Sequence, residues 1–247
     1  MRKTILITGA SSGLGAGMAR EFAAKGHDLA LCARRTERLI TLQNELSQAY
    51  GVRVEIAALD VDDNESVFTV FEDFAQRFGR IDRVIVNAGI GAGRRLGTGH
   101  FDENRRTIMT NFVAALAQCE AALVIFRRQN SGHLVTVSSM SAMRGLGKNL
   151  TTYAATKTAL AALTEGIRMD LMGSPIKVTT LFPGYIRTEL NEGNNNMPFA
   201  VSAEVGSKAL VNAIDREPAT ACVPAWPWTV IGALMRNLPL SLVKRLS

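Results

Sequence analysis

Tyr153 and Lys157 stand four residues apart in an apolar, Ala-rich run from Tyr153 to Leu163. The run reads as a buried helix, and helix positions four apart share a face. A phenol and an ammonium pointing the same way form a proton-transfer pair. A free phenol loses its proton near pH ~10, and an opposite charge within a few ångströms lowers that by about 1–3 units. The expectation is an acid/base pair working near neutral pH, with Lys157 lowering the Tyr153 pKa. Tyr and Lys also meet at this spacing by chance, so the rest of the chain must supply the partners.

A second chemical feature opens the chain. Ile5-Leu6-Ile7 reads as a strand, Thr8-Gly9-Ala10-Ser11-Ser12-Gly13-Leu14-Gly15 as a turn, and Ala16 to Lys25 as a helix ended by Gly26. A strand, a glycine-rich turn and a helix start make a phosphate site, because bare backbone admits a pyrophosphate and the helix dipole favours its charge. The next strand, Asp28 to Ala33, runs into Arg34-Arg35. Dinucleotide folds often place a ribose-binding acid there, about 20 residues after the glycines. Two guanidiniums suit a phosphate instead. The expectation is a 2′-phosphate, hence NADP(H). The bland reading is solvated charge at the start of a Thr36–Tyr50 helix, where positive charge opposes the dipole.

The elements that must carry these groups alternate along the chain. A strand from Val52 to Leu59 ends at Asp60-Val61-Asp62, where an acid can accept from an adenine amino group. Asp62 or Asp63 equally suits the cap of an Asn64–Phe78 helix stopped by Gly79. The strand Ile81–Val86 ends in Asn87-Ala88-Gly89, small enough for close backbone approach, and a Gly/Arg-rich loop runs on to about Phe101. A long helix from Asp102 to Arg128, bent midway, holds Asn111, whose amide needs a partner, structural or a catalytic water. Its Val113–Phe126 part is apolar nearly all round, so it is core or a subunit interface.

Strand His133–Val137 ends in Ser138-Ser139-Met140-Ser141, and strand Ile176–Leu181 runs into Pro183-Gly184-Tyr185-Ile186-Arg187-Thr188. The polar, Asn-rich stretch 189–205 reads as a flexible substrate loop, with a Ser202-capped helix reaching Arg216 and Cys222-Val223 as a short last strand. Residues 1–247 thus read as one α/β domain, a doubly wound parallel, Rossmann-like sheet in three α/β/α layers. Each motif falls at a strand's C-terminal end or on the helix after it, where open α/β sheets bind ligands.

Composition narrows the partners. A net charge of +6 comes without a dense basic block interleaved with aromatics, so nucleic acid is not expected. An anionic cofactor, an anionic substrate or an acidic membrane surface fits that charge. Cys32, Cys119 and Cys222 lack disulfide or metal spacing, and His27, His100 and His133 form no cluster. Free thiols in a reducing, cytoplasmic setting and no metal are expected. No run of eighteen or more apolar residues occurs.

Taken together, Thr8-Gly9-x-x-x-Gly13-x-Gly15, Asn87-Ala88-Gly89, Asn111, Ser138-Ser139, Tyr153-x-x-x-Lys157 and Pro183-Gly184 resemble the short-chain dehydrogenase/reductase family over about residues 4–190. The glycine spacing is similar to that of its compact single-domain branch. The resemblance implies hydride transfer between NADP(H) and a small-molecule carbonyl or secondary alcohol. It implies Tyr153 as acid/base and Lys157 as the residue that holds the nicotinamide ribose and lowers the Tyr153 pKa. Ser139 would polarise the carbonyl, and Asn111 would help hold a relay water. The cofactor would lie on Gly9, Ser11, Ser12, Gly13, Leu14 and Gly15. Arg34 with Arg35 would take its 2′-phosphate, Asp60 and Val61 would flank adenine, and Asn87, Ala88 and Gly89 would line the adenosine side. Ile186 and Thr188, after Pro183-Gly184, would orient the carboxamide. A homodimer or homotetramer is implied.

Two departures stand out. The family's serine usually lies thirteen positions before the tyrosine, where this chain has Met140; Ser139 is the choice and Ser141 the fallback. The tail 223–247 carries both tryptophans, Trp226 and Trp228, with Arg236, Lys244 and Arg245 and no acid. Such an amphipathic segment fits peripheral contact with an anionic membrane, or a cap on the substrate pocket of its own or a neighbouring subunit. Phe199, Trp226, Trp228, Leu234 and Met235 suggest an apolar substrate. The rival to the enzyme reading is a nucleotide-binding or membrane-docking module that keeps the fold without turnover.

Overall fold

The computed structural model describes residues 2–91, 93–193 and 197–246. Its strands are β1 (Thr4–Thr8), β2 (Asp28–Ala33), β3 (Val54–Ala58), β4 (Arg83–Val86), β5 (Gly132–Val137), β6 (Ile176–Pro183) and β7 (Thr220–Val223). All pair in parallel, in the order β3-β2-β1-β4-β5-β6-β7. The order reverses between β1 and β4, and that switch point opens the crevice in which such sheets bind ligands.

The helices are α1 (Gly13–Ala24), α2 (Thr36–Tyr50), α3 (Asn64–Phe78), α4 (Phe101–Ile108), α5 (Ala114–Gln129), α6 (Thr151–Asp170), α7 (Ala203–Asp215), α8 (Ala225–Asn237) and α9 (Leu240–Leu246). Strand alternation divides the core in two. Ile5 and Ile7 join Phe22, Leu39 and Leu210 beneath α1, α2 and α7. Leu6, between them in the chain, joins Phe71, Ala122 and Leu160 beneath α3, α5 and α6. Apolar residues on both faces are what a fully covered parallel sheet requires.

Helix ends follow local chemistry. Asp63, not Asp62, caps α3 by accepting from Ser66 N, and Gly79 ends it with φ +75. The expected midway bend is a π turn, Met109–Val113, between α4 and α5, with Asn111 on it. The helical run 101–129 is long and apolar enough to cross a membrane by length and composition. Here its Ala115, Ala122, Ile125 and Phe126 pack into the core.

Several boundaries differ from expectation. Helix α1 starts at Gly13 rather than Ala16, since Gly13 and Gly15 flanking Leu14 hide the helical period of its first turn. Strand β7 begins at Thr220, and the loop expected over 189–205 stops short of α7, which begins at Ala203. That loop is pinned at its base: Arg187 N donates to Val201 O (3.0 Å) and Val201 N to Tyr185 O (3.1 Å). Its residues 194–196 lie outside the described residues.

At the opposite edge of the sheet Arg83 is 0% exposed. It donates to His133 Nδ1 (2.9 Å), Asp215 Oδ1 (2.9 Å) and Glu217 Oε1 (3.3 Å). With Nδ1 accepting, His133 Nε2 carries the proton toward Thr179 Oγ1 (2.9 Å), which donates to Pro218 O (2.6 Å). This chain ties β4, β5 and β6 to the turn after α7.

Candidate active site

A cleft of about 660 Å³ runs along the C-terminal edge of the sheet. Every expected catalytic and cofactor-binding residue lines it except Gly15 and Asn111, whereas Phe199, Trp226, Trp228, Leu234 and Met235, expected to face an apolar substrate, do not. Gly15 lies beneath the turn: a Cβ there would sit 2.4 Å from the Gly9 carbonyl oxygen. Gly9, at φ +65, lets the turn pack on the Ala88 backbone, where a Cβ would come within 2.9 Å. Both glycines therefore serve backbone approach.

Thr8 cements this junction, and the sequence reading overlooked it. Its Oγ1 accepts from Asn87 N (3.0 Å) and Ala88 N (3.1 Å), while Asn87 Nδ2 donates to Thr8 O (2.9 Å). A threonine closing a strand was the available signal.

At one end of the cleft the start of α1 is open to an anion. Ser12 caps it without a side-chain bond, and no acid lies in the first turn. The first-turn N–H groups and the dipole therefore face the cleft with their charge uncompensated. Arg35 reaches over this turn, donating from Nε to Ser11 Oγ (3.3 Å) and from Nη2 to Ser12 Oγ (2.5 Å). Arg34 instead stands 3.9 Å from Asp60. The arginine in contact with the phosphate turn is thus Arg35. A second missed residue, Glu189, meets Arg35 and Arg38 (3.1 and 2.5 Å).

The other end holds the titratable pair. Helix α6 carries Tyr153 and Lys157 toward the end of β5. Lys157 Nζ donates to Val137 O (2.9 Å), and Ser138 Oγ donates to Lys157 O (2.8 Å), fixing the helix to the strand. Burial pushes the Lys157 ammonium down to about 8. It also holds the Tyr153 phenol above its ordinary value, and the neighbour that draws it back is Ser139. Lys157 is not among the groups that shift the phenol here. The ammonium is turned to a carbonyl and lies 5.9 Å from the phenol ring centre.

Ser139 and Ser141 both line the cleft. Ser139 is the one facing Tyr153, and its Oγ accepts from Ser141 N (3.1 Å). Met140 between them is buried against Phe182 and Trp228. Asn111 is buried behind Gly89, where its Nδ2 donates to Ile90 O (2.9 Å) and its Oδ1 accepts from Ile90 N (2.8 Å). The partner its amide needs is backbone.

The tail packs behind the wall at Gly184 and Tyr185. Trp228 is 5% exposed and Trp226 77%. The Trp228 indole occupies the space a side chain at Gly184 would need, 2.0 Å from its Cβ position. It meets Tyr185 and Phe199 edge-on, at 5.5 and 6.4 Å between ring centres. Arg144 donates to Met235 O and Leu238 O, satisfying the end of α8. The tail therefore packs on its own chain through Trp228, and Trp226 points outward.

Comparisons with known proteins bear on the fold and the family. An uncharacterized oxidoreductase of Mycobacterium tuberculosis is 51% identical over 245 residues, 99% of this chain and 97% of that protein. A short-chain dehydrogenase from Sphingobium yanoikuyae, solved in complex with NADPH, superposes with a TM-score of 0.82 at 28% identity, covering 97% of each chain. An alcohol dehydrogenase from the archaeon Thermococcus sibiricus, complexed with 5-hydroxy-NADP, gives a TM-score of 0.80 at 28% identity over 90% of this chain and 96% of that one. The sequence profile of short chain dehydrogenases matches residues 3–198, and the chain belongs to that family of oxidoreductases.

Proposed function

We propose that the protein is an NADP(H)-dependent reductase of apolar carbonyl compounds, acting between a ketone or aldehyde and its alcohol. The observation that carries this is one cleft with an open helix start and Arg35 at one end and Ser139, Tyr153 and Lys157 at the other. The donor set fits such a cofactor: first-turn N–H groups and two serine hydroxyls for the pyrophosphate, and Arg34 and Arg35 for the 2′-phosphate. Relatives solved with NADPH and an NADP derivative support the same choice. When bound, the nicotinamide supplies or accepts the hydride.

The chain's own residues handle the proton. A phenol held above its ordinary value is protonated at neutral pH, so Tyr153 is poised to donate to a carbonyl oxygen. Ser139 Oγ accepts from Ser141 N and its hydroxyl meets the Tyr153 phenol, so both hydroxyls face the one place where a carbonyl oxygen would sit. Two donors aimed at one oxygen stabilise the developing alkoxide. Lys157 holds the nicotinamide ribose. Leu150, Ile90 and Tyr185 on the cleft wall favour an apolar substrate, and Trp228 backs Tyr185 from behind. The exposed Phe101, Ile108, Leu116 and Val124 on α4 and α5 support a homo-oligomer.

The test is fluorescence titration of NADPH and NADH with wild type, Arg35→Ala and Tyr153→Phe. Wild type should prefer NADPH at least tenfold, and Arg35→Ala should erase the preference. Tyr153→Phe should bind NADPH normally and reduce no ketone. Normal turnover by Tyr153→Phe would sink the assignment.

A further inference from the structure

The flap leaving β6 turns back toward the phosphate turn. Thr188 N donates to Asn191 Oδ1 (3.0 Å) and Asn191 Nδ2 to Ile186 O (2.8 Å). This knot holds Glu189 over α2. One carboxylate oxygen takes Arg38 Nη1 (2.5 Å) and the other Arg35 Nη1 (3.1 Å). Arg35 simultaneously serves Ser11 and Ser12 of the phosphate turn. One guanidinium thus joins the flap to the cofactor end of the cleft. Arg38 does not line that cleft.

We propose that Glu189 sets the selectivity for the cofactor's 2′-phosphate by competing with it for Arg35, while Arg38 draws the carboxylate away. The inference rests on the reading that Arg34 and Arg35 take that phosphate. A guanidinium fork that suits a carboxylate also suits a phosphate, so both ligands ask for the same donors. Arg34, Arg35 and Arg38 face Asp60 and Glu189 here, a single surplus positive charge. A phosphate monoester brings about −1.5 to −2. Removing the Glu189 charge doubles the surplus where that phosphate sits. NADH brings only the pyrophosphate that both cofactors share, so it gains less from the change. The Arg35 bond also tethers the flap to the phosphate turn, so loss of Glu189 loosens the flap.

The experiment titrates NADPH and NADH with wild type, Glu189→Gln, Arg38→Ala, the double variant and Arg35→Ala. Exposed ion pairs are individually weak, so Glu189→Gln is expected to tighten NADPH about three- to fivefold and NADH by less, raising the preference for NADPH. Arg38→Ala should weaken NADPH by a similar factor in the wild-type background and have no effect in the Glu189→Gln background, because Arg38 acts through Glu189. A Glu189→Gln protein that binds both cofactors more weakly, or NADPH no better, overturns the proposal. So does an Arg38→Ala loss that persists in the double variant. A wild type that binds NADPH and NADH alike overturns the 2′-phosphate reading, and the role of Glu189 falls with it. An Arg35-dependent preference that Glu189→Gln leaves untouched overturns the role of Glu189 alone.

Discussion

Gly184→Ala should damage the protein through Trp228, a residue of the tail. A Cβ at position 184 would stand 2.0 Å from Trp228 Cε2, 2.2 Å from Nε1 and 2.4 Å from Cδ2. Carbon contacts are comfortable at about 3.5–4.0 Å, so the indole must retreat by about 1.5 Å. It has little room, with Met140, Met143 and Phe182 packed around it and Tyr185 against its edge. Overpacking of this kind costs about 1–3 kcal/mol. In a domain of this size about 2 kcal/mol lowers Tm by about 4–8 °C. The assay is thermal unfolding with parallel KM and kcat measurements on one ketone. Gly184→Ala should lose that stability and raise KM, since residue 184 lines the cleft. Adding Trp228→Phe should recover part of both, because the smaller ring vacates the overlap. A Gly184→Ala protein with unchanged Tm, or a double variant worse than the sum of its parts, would refute the steric argument.

Three further outcomes follow from the buried charges. Lys157 is held near a pKa of about 8 against an ordinary 10.5, so the unfolded chain binds the extra proton between those values. Stability should therefore rise by roughly 3 kcal/mol as pH climbs through that window, and Lys157→Met should lose the slope in urea titrations at several pH values. His133 is held down to about 3 by burial and by Arg83, so stability should fall as pH drops from about 6.5 toward 3. His133→Asn should flatten that acid limb in the same titrations. Arg83→Met should cost about 3–5 kcal/mol in urea unfolding, because it leaves His133 Nδ1 without a donor and two carboxylates short of a cation. Unchanged midpoints would mean that Lys3 and Lys25 neutralise those acids unaided.

Much of the frame was legible because punctuation is local. Strand β2 and helices α2 and α3 begin and end where the sequence places them, since Gly51 and Gly79 supply left-handed stops and Asp63 a cap. The phosphate turn and the Tyr153–Lys157 face were readable for the same reason. What escaped depends on residues distant in the chain. Glu189 meets Arg35 across 154 positions, and Trp228 finds Gly184, so neither leaves a pattern nearby. Spacing showed that a lysine is near Tyr153 but not that its ammonium turns to the Val137 carbonyl. Asn111 was readable as an amide needing a partner, while its choice of the Ile90 backbone required the π turn.

The cluster of Met140, Met143, Phe182 and Trp228 shares no residue with the two clusters that hold the sheet. Of its four residues only Trp228 lies beyond residue 198, where the match to the family profile ends, and Cys222, Ile231 and Met235 from the same region pack against it. The packing behind Gly184 and Tyr185 of the cleft is thus separable from the scaffold that keeps the chain folded. Drift in the tail can reshape what the cleft admits while the phosphate turn and the proton-transfer residues stay as they are. A library confined to residues 225–237 would sample new substrates on a constant catalytic apparatus, and a helix transplanted from a relative would carry its selectivity with it.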